Sequence, residues 1–175
     1  TDYDVTDLLY QEYKLPSENN SDEPYILIYH THTCESYTPT EKNNYISSGN
    51  FRTTDLNNNV ARVGKELSGF LKQKGLNPIQ DVSYHDYPAY TGSYNRSLAT
   101  VSNLVKDNNA ELIIDLHRDA LGNNSAYAPR VKIGEEVAAQ LMFVIGTDGG
   151  GLEHPNWKNN FVLYQVLGQL IRLRW

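Results

Sequence analysis

Three short apolar runs alternate with two amphipathic helical patterns along this chain, and that alternation leaves few folds open. Tyr25-Ile-Leu-Ile-Tyr29 is continuously apolar, the pattern of a strand covered on both faces. Val60, Val63, Leu67, Phe70 and Leu71 recur at helical spacing, with Asn59 placed to cap the first turn and Gly75 to stop the last. Residues 78–82 read as a second strand, Leu98, Val101, Leu104 and Val105 mark a second helix, and Leu112-Ile-Ile-Asp-Leu116 reads as a third strand. This β-α-β-α-β order predicts an α/β fold with a central, largely parallel sheet flanked by helices. Functional groups in such folds gather at the carboxyl ends of the strands.

Outside this frame, residues 1–23 mix acids, Asn and Ser and read as a leader or linker, which leaves 24–175 as the functional domain. Residues 38–59 are polar and read as a long surface loop, and a tyrosine-rich loop runs from Tyr84 to Tyr94. Arg130 to Ile133 and Val137 to Ile145 flank a Gly134-Glu-Glu turn, predicting a hairpin added to the sheet. Residues 156–174 read as a helix that is apolar nearly all round. Such a helix expects burial by further structure, so the domain is expected to continue past Trp175.

The net charge of −6 and the lack of any Lys/Arg-rich run argue against a nucleic-acid partner. The single cysteine, Cys34, excludes an intramolecular disulfide and a multi-thiolate metal site, so a metal here needs imidazole and carboxylate ligands. No apolar stretch is long enough to span a bilayer. Because Thr1 opens the chain, an upstream targeting segment or anchor is expected. Thirteen tyrosines against four phenylalanines favour surfaces that offer a flat apolar face with a hydroxyl, which suits a wet, sugar-lined cleft.

Two histidine-bearing segments follow predicted strands. His30-Thr-His32-Thr-Cys-Glu35 comes after the first and His117-Arg118-Asp119 after the third, so parallel pairing of those strands would bring His32, Glu35 and His117 to one rim. Three such ligands with a fourth position open make a catalytic zinc site. The HxxE spacing lets one turn fold the carboxylate back beside the imidazole. In an extended strand His30 and His32 would face the same side. Either can ligate; His32 is favoured because it lies further past the strand end, and His30 then takes a supporting catalytic role. Asp115 or Asp119 is placed to accept a hydrogen bond from a ligating imidazole.

Each of these residues also has an ordinary structural reading. HxxE alone arises by chance, and a lone strand-end histidine is more often structural. Arg118 is read as pairing with Asp115 or Asp119, or as facing a substrate carboxylate. Cys34 is read as a small buried residue, and His85 and His154 as solvated or capping residues of loops. Zinc at the rim would acidify a water molecule and polarise a carbonyl, which suits amide hydrolysis.

The strings IYHTHTCESY (Ile28 to Tyr37), NVARVGKELSGFLKQKGL (Asn59 to Leu76), SYNRS (Ser93 to Ser97), IIDLHRDA (Ile113 to Ala120) and FVIGT followed by HPNWKNN resemble the stage II sporulation protein P family. The resemblance implies a zinc-dependent N-acetylmuramoyl-L-alanine amidase of endospore-forming bacteria, with an amidase fold of the phosphorylase/hydrolase type. It implies Zn2+ on His32, Glu35 and His117, and cleavage of the lactyl–L-alanine amide of peptidoglycan during engulfment of the forespore. Extracytoplasmic action from a mother-cell membrane anchor, together with stage II sporulation proteins D and M, is implied as well. The family's general base is a glutamate in a later segment of the type lIEfGG. No such segment occurs up to Trp175, where Glu41 and Glu153 are the substitutes available. Two other readings stand beside the amidase: a weak or silent peptidoglycan-binding module lacking that base, and a zinc carboxypeptidase with Arg118 as carboxylate clamp.

Overall fold

The run that begins the alternation forms β1 (Ile26–Tyr29), and its burial follows from its central place in a three-stranded sheet. On one side it pairs in parallel with β2 (Pro78–Gln80), on the other with β3 (Leu112–Asp115). This is a computed structural model, and it describes residues 26–46, 50–107, 110, 112–119, 128–148, 151 and 153–163. Residues Pro16–Ala120 form one compact unit, and Leu121–Trp175 with Thr1–Leu15 form a second. Among the described residues no helix is long and apolar enough to cross a membrane.

Helix α1 (Val60–Gln73) begins where expected, with Asn59 Oδ1 accepting the Ala61 N–H at 3.0 Å. It ends in a Schellman turn, in which Leu76 N–H bonds Leu71 O, Gly75 N–H bonds Lys72 O, and Gly75 takes φ 80°. The buried stripe differs from the expected one. Val60, Ala61, Gly64 and Ser68 are buried and Leu67 and Leu71 pack on Ile26 and Ile28, whereas Val63 and Phe70 are 40 % and 45 % exposed. Small residues win this face because they let the helix backbone approach the sheet. A Cβ on Gly64 would lie 2.9 Å from the His30 ring and 2.4 Å from Gln80 Nε2.

Helix α2 (Ser93–Asp107) shows the same preference. Ser93 and Ser97 are buried, while Leu98, read as a core position, is 65 % exposed. Ser97 Oγ is 2.7 Å from Thr31 Oγ1, so this helix meets the end of β1 through hydroxyls.

The second unit contains β4 (Arg130–Ile133) and β5 (Glu136–Ala139), an antiparallel hairpin. Gly134 has φ 59° and Glu135 does not share that sign, which defines a type II′ turn. The hairpin is a sheet of its own and does not extend the parallel one, and β5 ends at Ala139 instead of reaching Ile145. Trp157 and Val162, with Phe161, form a small core on the helical residues 157–163. The predicted leader and the rest of the predicted C-terminal helix lie outside the described residues.

Candidate metal centre

Parallel pairing places Tyr29 opposite Asp115, so the segments that follow β1 and β3 leave the sheet at one rim. Residues 31–34 form a turn, closed by the Glu35 N–H on His32 O at 3.0 Å. The turn folds Glu35 back towards the β3 end, where its Oε2 accepts the Arg118 N–H at 2.8 Å and stands 3.6 Å from His117 Nδ1. The His32 and His117 rings meet edge to face at 5.3 Å between centroids. His32, Glu35 and His117 are therefore brought together.

Because β1 ends before the turn, strand alternation no longer relates His30 to His32, and the two rings occupy separate environments. His30 is fully buried; its Nδ1 is 2.8 Å from Leu116 O and its Nε2 is 3.0 Å from Gln80 Nε2. Those contacts fix the neutral tautomer, with Nδ1 donating to the carbonyl and Nε2 accepting from the amide. Burial lowers its pKa despite the Leu116 carbonyl. With both nitrogens occupied, His30 braces α1, β2 and the end of β3, a supporting place beneath the rim and apart from the His32 ring.

His32 is a different case. It is 5 % exposed, stacked on Tyr90 at 4.6 Å and 6°, and met edge-on by Tyr94 at 5.3 Å. Its Nε2 is 3.3 Å from the Tyr90 hydroxyl, and its buried Nδ1 has no hydrogen-bond partner among the described residues. Burial lowers its pKa, against the pull of Glu35.

Asp115 holds the other histidine. Its Oδ2 lies 2.9 Å from His117 Nε2 and accepts the Thr31 hydroxyl at 2.7 Å, while Oδ1 accepts the Thr31 N–H at 2.9 Å. Burial would raise the Asp115 pKa, but His117 and Thr31 outweigh it and hold the carboxyl below its usual range. For His117, burial acts downward and is overcome by Asp115 and Glu35, which push the ring up to about 9. The protonated ring is then the cation that balances two carboxylates.

Arg118 does not pair with either aspartate. Its guanidinium bonds the carbonyls of Asp119 at 3.0 Å and Phe51 at 3.5 Å, leaving a buried Nε without a partner among the described residues. His85, read as solvated or capping, is instead buried, with Nδ1 2.8 Å from His30 O and Nε2 2.9 Å from Thr100 Oγ1. Cys34 is buried as expected, and burial followed by Asp86 pushes its thiol up to about 12. Glu41 and Glu153 are both exposed.

Arg52, Asp86 and Tyr90 also belong to the rim and escaped the sequence reading. Asp86 is buried and ion-paired with Arg52, whose guanidinium lies 5.0 Å from the Tyr90 ring centroid. No local spacing marks these residues; the tyrosine bias was the one available sign.

Among the described residues, no group of three or more His, Cys, Asp or Glu side chains is arranged to hold a metal ion. The donor set nevertheless fits a cation. His32 presents one buried imidazole, His117 presents a second that is gripped by a carboxylate from behind, and a further carboxylate faces it.

Fold and rim together define a mixed α/β protein with an imidazole–carboxylate centre at the carboxyl edge of a small parallel sheet. The chain matches the family described as Stage II sporulation protein P (SpoIIP) over residues 4–171. It belongs to that family, which ties it to sporulation. It is 26% identical over 167 residues to Stage II sporulation protein P of Bacillus subtilis (strain 168), a match covering 91% of this chain and 39% of that relative. No solved structure matches.

Proposed function

We propose that this chain is a zinc-dependent N-acetylmuramoyl-L-alanine amidase domain that cleaves the lactyl–L-alanine amide of peptidoglycan during forespore engulfment. The observation that carries the reading is the meeting of His32, Glu35 and His117 at one sheet rim, with Asp115 behind His117. The family match supports a peptidoglycan hydrolase and, with it, the phosphorylase/hydrolase type of amidase fold. Action outside the cytoplasm from a mother-cell membrane anchor, beside stage II sporulation proteins D and M, belongs to the same proposal.

His32, Glu35 and His117 would hold Zn2+. When bound, the ion supplies a Lewis acid for the amide carbonyl and makes water nucleophilic at neutral pH. The protein's own part is orientation. Asp115 fixes the His117 ring through Nε2, which leaves Nδ1 on the Glu35 side. The Arg118 N–H fixes one Glu35 oxygen, and the Arg118 guanidinium keeps a positive charge beside the rim. Tyr87, Tyr90 and Tyr94 are each more than half exposed, offering flat faces with hydroxyls to a glycan.

A second reading, a peptidoglycan-binding module with little or no catalysis, is favoured by one observation. Glu41 and Glu153, the substitutes for a general base, are both exposed side chains. Incubation with cell-wall sacculi separates the two. The amidase releases intact stem peptides until a chelator is added and falls silent in His117→Ala; a module binds sacculi and releases nothing. Liberation of terminal D-alanine with glycan and peptide still joined would point instead to a carboxypeptidase.

A further inference from the structure

We infer that Asp86, clamped by Arg52, is the positioning residue for His32, the counterpart of Asp115 behind His117. The inference rests on the zinc reading above and extends it to two residues with no sequence motif. The Asp86 side chain is wholly buried, 0 % exposed, in the segment before α2. A carboxylate is rarely buried unless paired, and Arg52 supplies the pair. Both Asp86 oxygens also face the Cys34 N–H at 3.3 Å, so the turn between His32 and Glu35 is tied to the same group.

The remaining direction matters most. Asp86 Oδ2 is 3.9 Å from His32 Nδ1, the buried nitrogen that has no hydrogen-bond partner among the described residues. A shift of about 1 Å makes this a hydrogen bond of ordinary length. Once Nδ1–H is committed to Asp86, Nε2 is the lone-pair atom, as a metal ligand requires. Arg52 contributes twice, because its guanidinium also lies over the Tyr90 ring that stacks on His32. Carboxylate, guanidinium, tyrosine and imidazole thus form one packed unit. Its second anchor is the antiparallel bridge between Arg52 and Glu35.

The test uses the full chain and Asp86→Asn, which keeps the shape and an acceptor for the Cys34 N–H but removes the charge. In the metal-free wild type, long-range proton–nitrogen NMR is expected to show His32 as the Nδ1–H tautomer. In Asp86→Asn that preference weakens and zinc affinity, read by competition with a chromophoric chelator, falls about 10–100-fold. The His117 signals and far-ultraviolet dichroism stay in place. An Nε2–H tautomer in the wild type overturns the inference without any variant, and so covers the case in which Asp86→Asn does not fold. A variant with wild-type zinc affinity, or with reduced affinity and an unchanged tautomer, shows Asp86 to be a loop anchor only. Wild-type protein that takes up no zinc refutes the functional reading itself, whereas wild-type uptake with an undiminished variant refutes only the role of Asp86.

Discussion

Replacing Gly64 by alanine sets two effects of known size against each other. In a helix interior alanine is favoured over glycine by about 1 kcal/mol, so propensity predicts stabilisation. Against this, the new Cβ would stand 2.4 Å from Gln80 Nε2 and 2.9 Å from the His30 ring. Neither neighbour can yield at low cost. Gln80 Nε2 bonds Ala61 O at 2.8 Å and faces His30 Nε2 at 3.0 Å, and His30 is pinned to Leu116 O. Overpacking costs about 1–3 kcal/mol, and a buried His30 nitrogen left without its donor costs about 1–3 kcal/mol more. The clash wins by about 1–3 kcal/mol once the two penalties overlap and the propensity gain is subtracted.

Gly69 provides the control, since it lies in the same helix and a Cβ there meets nothing among the described residues within 4 Å. Gly69→Ala should therefore stabilise by about 0.5–1 kcal/mol. Thermal unfolding followed by far-ultraviolet dichroism reads both, at about 2–4 °C per kcal/mol for a chain of this size. Gly64→Ala is expected to melt several degrees below wild type and Gly69→Ala slightly above. If Gly64→Ala proves as stable as Gly69→Ala, the close approach of α1 to His30 is refuted, and with it the account of His30 as a brace.

Asn59→Ala removes the N-cap acceptor of α1 and the amide donated to Thr53 O, and should cost about 0.5–2 kcal/mol; an unchanged urea midpoint would contradict the capping role. The Cys34 thiol is pushed up from 9.0 to about 12, so its contribution to stability is complete below pH 9.0 and lost as pH rises through about 12. Alkylation at pH 8 should be far slower in the native protein than in urea, and equal rates would show an accessible thiolate. Asp115→Asn should lower zinc affinity about 10–100-fold with the fold retained, because the carboxylate that orients His117 is lost; unchanged affinity would remove Asp115 from the centre. Ile28→Ala empties a side-chain position that is 0 % exposed, with an expected loss of about 2–5 kcal/mol in denaturant titration.

The amino-acid sequence alone set the order of elements in the parallel unit, because apolar runs and helical spacing are local signals. It also determined the cap at Asn59 and the stop at Gly75, since each follows from one residue's side-chain or backbone chemistry. Joined to the rule that parallel strands end on one edge, it placed His32, Glu35 and His117 together. Tertiary structure decided the rest. Which helix face is buried depended on how closely α1 could approach His30, and there Gly64 and Ser68 outweighed Val63 and Phe70. The separation of His30 from His32 depended on where β1 stops, which strand periodicity does not encode. Asp86, Arg52 and Tyr90 reach the rim from loops distant in sequence, through an ion pair and ring stacking that leave no periodic trace along the chain.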